Sequence, residues 1–207
     1  MFPPSRGQIT LCLLAVLSLA FYALHATSPE STMSSSSSSS LSLADSLAIS
    51  LSQTATSPPT LSVSVRNAHG SETLTVLRWN SPLDPAALAL GLVSVTPAGA
   101  RAPLRMHPVQ VSRRTPPTSD DLVTLAPGAS ASVSLELRAP QVPGDTWTGG
   151  GGDDKPATVA LAGAWSAVWR GLAKEDLLRD PQKLGKLGSG DGVLTGDWKS
   201  PAIEVSG

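Results

Sequence analysis

The sequence predicts an all-β fold, an antiparallel β-sandwich carrying one or two short helices, and three observations support it. From residue 61 the apolar side chains recur with a period of two. Leu61, Val63 and Val65 alternate with Ser62, Ser64 and Arg66, and Val133, Leu135 and Leu137 with Ser132, Ser134, Glu136 and Arg138, as half-buried antiparallel strands require. Turn signals at Ala68-His69-Gly70, Pro97-Ala98-Gly99 and Pro127-Gly128 separate further strand candidates at 73–79, 90–95, 104–111, 122–125, 158–169 and 202–205. About eight short strands punctuated in this way are the pattern of an immunoglobulin-like sandwich. The clearest hairpin joins 122–125 to 129–137 through Pro127-Gly128.

Two helical turns are expected between the strands. Asp84 offers an N-cap acceptor ahead of Pro85 at the first helical position, where a missing N–H costs nothing. Lys174 to Arg179 forms the second and is stopped by Asp180-Pro181. Between Gln141 and Pro156 the run Gly149 to Gly152 predicts a mobile loop, because successive glycines are costly to hold still.

The chain divides into three parts: 1–26, a signal peptide or signal anchor; 27–60, a disordered Ser/Thr/Pro-rich linker; and 61–207, the sandwich. Arg6 precedes an apolar run from Ile9 to Ala26, and the first acid is Glu30, the charge order of a secretory signal. Two outcomes fit it. Cleavage after Ala23 or Ala26 would release the rest, although neither site has an A-x-A pattern. Retention would leave a type II anchor with Arg6 on the cytoplasmic side, since the run reaches the lower end of the ~17–25 residues that span a bilayer. Seven serines, Ser34 to Ser40, and Ser57-Pro58-Pro59 follow. So few contiguous apolar residues do not offset ordering entropy, and the segment reads either as a plain linker or as an O-glycosylated stalk. Leu41, Leu43, Leu47, Ile49 and Leu51 partly alternate within it.

Composition excludes several function classes. With 15 Lys+Arg against 16 Asp+Glu the net charge is −1, far from the basic stripe that nucleic acid demands. Cys12 is the single cysteine, so neither an internal disulfide nor a thiolate metal cage can form. His25, His69 and His107 stand in no metal-ligand spacing. No G-x-S-x-G occurs, and Gly188-Ser189-Gly190 lacks the strand-to-helix context of a nucleophile elbow. The acid pairs Asp120-Asp121 and Asp153-Asp154 are not expected to hold calcium, which needs six to eight oxygens at a folded site, or to hydrolyse glycosides, which needs two carboxylates at a separation that sequence does not show. No cofactor is expected and no catalytic residue is assigned.

The segment Leu77-Arg78-Trp79-Asn80-Ser81-Pro82-Leu83-Asp84, with Leu61 to Asn67 before it, resembles the non-catalytic N-terminal β-domain of fungal deuterolysin-type zinc endopeptidases. It is more similar still to small secreted fungal proteins that carry such a domain alone, in which a block like Asp120 to Gly128 recurs. The likeness covers residues 60–140. It implies a β-domain without peptidase activity, since nothing here matches the zinc-binding half. It also implies a protein partner, a secreted metallopeptidase being the specific candidate.

Seven residues form the candidate binding surface: Trp79, Asn80, Asp84, Arg113, Arg114, Trp165 and Trp169. For Trp79, Asn80 and Asp84 a structural account explains each member: Trp79 plugs the core, Asn80 turns the chain and Asp84 caps the helix. Arg113 and Arg114 belong to a basic stretch with Arg101, Arg105 and His107. On strands it would be a solvated face offset by Asp120, Asp121 and Glu136, or else a site for an acidic protein or anionic wall polymer. Arg113-Arg114 would also suit a dibasic processing enzyme. Trp165 and Trp169 differ by four and would share one face of a strand, or of a helix. Buried they fill the core; exposed they would stack on carbohydrate or a partner. The expected protein is therefore an extracellular or surface-anchored, non-enzymatic binding module, with a stalked cell-surface or wall protein as the alternative.

Overall fold

The structure, a computed structural model, describes residues 43–147, 155–190 and 192–207. The expected signal or anchor at 9–26, Cys12, linker residues 27–42 and the acid pair Asp153-Asp154 lie outside them. No helix among the described residues is long and apolar enough to cross a membrane.

Among the described residues, nine strands build two antiparallel sheets. The first has the order β1-β2-β6, from β1 (Leu47–Thr56), β2 (Pro59–Asn67) and β6 (Ser130–Glu136). The second centres on the long strand β7 (Ala157–Arg170), whose first half pairs with β4 (Val93–Thr96) and β9 (Ile203–Val205). Its second half pairs with β3 (Leu74–Leu77) and β8 (Val193–Lys199), and β5 (Leu122–Leu125) extends the sheet beyond β3. Leu61, Val63 and Val65 of β2 meet Val76, Val95, Leu125, Val159 and Leu161 of the other sheet in one core. Each such residue contributes about 1.5–3 kcal/mol when fully buried.

The ordered domain begins well before residue 61. The short helix α1 (Leu43–Ser46) leads into β1, which pairs with β2 in the register Leu47↔Asn67, Ile49↔Val65 and Leu51↔Val63. Residues 43–60, expected as disordered linker, are thus corrected to helix, strand and hairpin. An edge strand with one wet face needs only every second residue apolar. Leu47, Ile49 and Leu51 meet that need, while Ser50 and Ser52 face outward. Serine richness masked the alternation.

Three other expectations change. The 84–90 stretch is a chain of turns, with Ala87 N–H bonded to Asp84 O and Leu90 N–H to Ala86 O, and does not settle into a regular helix. The 104–111 candidate pairs with no strand; Pro103 and Pro108 lack the donors that a ladder uses. Residues 141–147, expected to be mobile, are held by Val142 and Trp147 in the core. Conversely, β8 was not expected, because Gly196 and Asp197 are poor strand formers.

A second, smaller core lies on the outer side of the β3-β7-β8 sheet. Leu77, Trp79, Leu122, Ala167 and Trp169 pack there under Leu177 of α2 (Lys174–Leu178) and Leu184 of α3 (Pro181–Gly185). Asp180 caps α3 by accepting from Lys183 N–H, with Pro181 in the first turn. A bulge in β7 makes this second core possible. Between Trp165↔Gly196 and Val168↔Leu194, β7 spends three residues where β8 spends two. One extra residue reverses the facing of everything after it. Trp165 therefore sits in the main core beside Trp198, ring centroids 6.0 Å apart, while Trp169 sits in the second. The expectation that these two share a face is corrected by that single insertion.

Candidate functional site

The turn after β3 gathers most of the residues singled out above. Trp79 enters the second core, and its indole Nε1–H donates to Asp121 Oδ1 at 2.8 Å. Asn80 adopts φ 58°, the left-handed conformation that asparagine tolerates better than most residues. Its backbone N–H donates to Asp84 Oδ2 (2.9 Å), its side chain to Ser166 Oγ (3.2 Å), and its carbonyl accepts from Trp198 Nε1 (3.0 Å). Ser166 in turn donates to Trp79 O at 3.1 Å. The β7 bulge thus presents a hydroxyl to the turn, which fixes the turn against the sheet.

Asp84 is the buried anchor. Its carboxylate, with no exposed side-chain surface, accepts from Ala86 N–H at 2.9 Å, from Asn80 N–H, and from Arg113 Nη2 at 2.6 Å. The Arg113 guanidinium also lies 6.0 Å from the Trp79 ring centroid, within cation–π reach. A buried carboxylate is tolerable only when paired and hydrogen-bonded. Arg113 supplies the charge and the turn supplies the N–H groups.

Asp121 closes the network. Burial pushes its carboxyl up. Donation from Thr118 N–H and Oγ1, each at 2.8 Å, and from Trp79 Nε1, together with the charge of Arg113, outweighs that and holds it below its ordinary value. Sequence reasoning weighed Asp121 only as half of an acid pair. The overlooked signal was the spacing of Thr118 and Asp121, three apart at the start of a 3-10 turn (Ser119–Asp121), as in a capping box. Ser166 and the partnership of Trp198 with Asn80 carried no local signal, because both are long-range contacts.

Of the seven residues proposed as one surface, Trp79, Asn80, Asp84 and Arg113 come together, and every one is engaged within the domain. Trp165 and Trp169 lie apart in separate cores and, like Trp79, Trp147 and Trp198, are buried. No tryptophan ring is offered for stacking. Arg114 is exposed, as are Arg101, Arg105 and His107. These basic residues stand on a long loop between β4 and β5 instead of on a sheet face. Of the acids expected to offset them, Asp121 feels the charge of Arg113 while bonding to Thr118 and Trp79, and Glu136 pairs with Arg138.

Three hollows lie among the described residues. One of about 400 Å³ is lined by Trp169, Lys183 and Lys186, and another of about 400 Å³ by Leu47, Trp165 and Trp198. A third, of about 460 Å³, lies between the 85–89 turns and the end of β6. Glu136 is the one carboxylate lining the third and Asp197 the one lining the second. Neither brings together the two carboxyl groups that glycoside hydrolysis uses.

Two antiparallel sheets packed face to face around one core are the architecture of an immunoglobulin-like sandwich, a fold that hosts many unrelated functions. Comparison with known families agrees: a model of the immunoglobulin-like domain matches residues 46–207, and the chain belongs to that family. The match starts within one residue of β1. A relative described as an uncharacterized secreted protein, from the fungus Arthroderma benhamiae, is 31% identical over 156 residues, which is 73% of this chain and 71% of the relative.

Proposed function

We propose that this chain is a secreted, non-enzymatic module that acts by contact with another protein, in its specific form a stand-alone counterpart of a peptidase prodomain that masks a secreted metallopeptidase or helps it fold in trans. One observation supports it most directly. The 79–84 turn, which carries the likeness to the deuterolysin-type N-terminal domain, is wired into the sheet by Asp84, Asn80 and Trp79, so the likeness belongs to the scaffold. What that scaffold displays is a basic loop, with Arg101, Arg105 and Arg114 exposed. The secreted relative and the charge order of residues 1–26 support an extracellular location.

Titration of the purified protein against deuterolysin-type peptidases tests this directly. Binding or inhibition at micromolar concentration is expected, and absence of both removes the prodomain-like form. A second reading, a cell-surface or wall protein on a glycosylated stalk, draws on the serines Ser34 to Ser40. Intact-mass spectrometry of the native protein separates the two. A retained 9–26 segment with a hexose ladder supports the stalk; a start near Thr27 with no ladder counts against it.

A further inference from the structure

Two side-chain donors are buried without an acceptor among the described residues, Arg78 Nε and Trp169 Nε1. Native interiors rarely leave such a group unpaired, and each one asks for a cause. Other indoles in the domain show the contrast. Trp79 Nε1–H donates to Asp121 and Trp198 Nε1–H to Asn80 O, whereas the Trp169 donor, on a side chain 2% exposed, meets no acceptor. Of the two orphans, Trp169 lines a hollow, the one of about 400 Å³ beside the second core.

The hollow follows from how that core is roofed. The β7 bulge turns Trp169 outward, and Leu177 of α2 and Leu184 of α3 cover the core without filling the space beside it. Arg170 and Leu172 at the end of β7, Lys183 and Lys186 on α3 and just after it, and Val193 at the start of β8 wall the remainder. Lys183 and Lys186 are three apart, hence neighbours on one side of the helical turn. Arg170 is committed to Glu72 at 2.6 Å. Lys183 reaches Asp180 only at 3.7 Å, with both side chains about half exposed. Lys186 has no ion-pair partner among the described residues, and no acid is among the described residues that line the hollow. Two loosely held positive charges, an unspent N–H and the apolar sides of Leu172 and Val193 thus share one space.

We infer that this hollow is a binding site for a small organic carboxylate. One carboxylate oxygen accepts from Trp169 Nε1–H, the charge faces Lys183 and Lys186, and the organic body lies against Leu172 and Val193. Hydrogen bonds to an ionised acceptor are roughly twice as strong as neutral ones, so the orphan donor gains most from an anion. The volume is at the low end of the ~300–1,000 Å³ of small-molecule sites, which suits an acid with one ring or a short chain. A neutral ligand would leave the lysines unused, and inorganic phosphate would leave the apolar wall uncovered. The hollow shares no lining residue with the 79–84 turn or the 97–118 loop, so this inference stands independently of the protein-contact reading.

Proton–nitrogen correlation spectra of the full chain, with its five indole N–H signals assigned, test it by titration with phenylacetate, hexanoate, phenylacetamide and inorganic phosphate. At least one of the two acids is expected to move the Trp169 indole signal downfield, as a donor does on gaining an acceptor, while those of Trp147 and Trp165 stay. The amide and phosphate should bind about tenfold more weakly than that acid. Lys183→Gln with Lys186→Gln should weaken the acid by about tenfold with thermal unfolding unchanged, and the double arginine replacement should retain it. A Trp169 signal that neither acid moves overturns the inference. So does amide or phosphate binding as tight as the acid's, or undiminished binding by the glutamine variant.

Discussion

The 79–84 turn and the 97–118 loop both leave the second sheet, one after β3 and the other after β4, yet they solve opposite problems. In the turn, nearly every polar atom has a partner inside the domain: Asp84 takes three donors, Asn80 engages through backbone and side chain, and Trp79 reaches Asp121. In the loop, the backbone is largely unpaired and the side chains carry one sign of charge. Arg113 is the hinge between them, since it belongs to the loop by sequence and to the turn by contact. The lesson is that a distinctive sequence motif need not mark an exposed surface: the turn is memorable because its geometry demands particular residues, whereas the loop leaves most of its side chains in solvent.

The contrast can be broken most forcefully at its anchor. Asp84→Ala removes a buried acceptor and strands the N–H groups of Asn80 and Ala86 and the Arg113 guanidinium. A loss of about 3–5 kcal/mol in urea unfolding is expected for breaking such a pair; a loss near zero would show that the turn is not the fixed region. Gly163→Ala comes next. An added Cβ would lie 2.8 Å from Trp198 Cζ2 and 3.2 Å from Asn80 O, so overpacking should cost about 1–3 kcal/mol, measurable as a lower midpoint of thermal unfolding.

Asp121→Asn gives a smaller and pH-dependent effect. Its carboxyl is held below the ordinary 3.8, so its contribution is complete above that value and fades as pH falls through the lower folded value. The variant should be about 1.5 kcal/mol less stable than wild type at neutral pH, and the gap should close in acid. Unfolding at pH 7 and near pH 2 checks the sign. The smallest effect belongs to the loop: Arg105→Glu with Arg114→Glu should change stability by less than about 0.5 kcal/mol, because both side chains are exposed and neither has an ion-pair partner among the described residues. A large loss there would mean that the loop is part of the scaffold after all.

Much of the sandwich was legible because strand periodicity is local. β2, β5, β6 and β9 fall where alternation places them, and the long β7 is expected almost to its ends. What escaped was what locality cannot carry. β1 hid in a serine-rich segment, where composition argued for disorder, the partial alternation of Leu47, Ile49 and Leu51 argued weakly against it, and pairing with β2 decided the matter. β8 is assembled by the edge of β7 despite Gly196 and Asp197. The 104–111 stretch had the alternation of a strand, but Pro103 and Pro108 lack the donors that a ladder needs.

For the site, the sequence by itself determined the chemistry of each position: an Asx residue able to turn left-handed at Asn80, a capping carboxylate at Asp84, a run of arginines free of acids. Only the tertiary structure decided which of them were available. One extra residue in β7 sent Trp165 and Trp169 to opposite sides of a sheet, and a single contact drew Arg113 inward while Arg114 stayed in solvent. Residue type is a property of the position, but burial and partnership depend on segments that lie far apart along the chain and meet only after the sheets have packed.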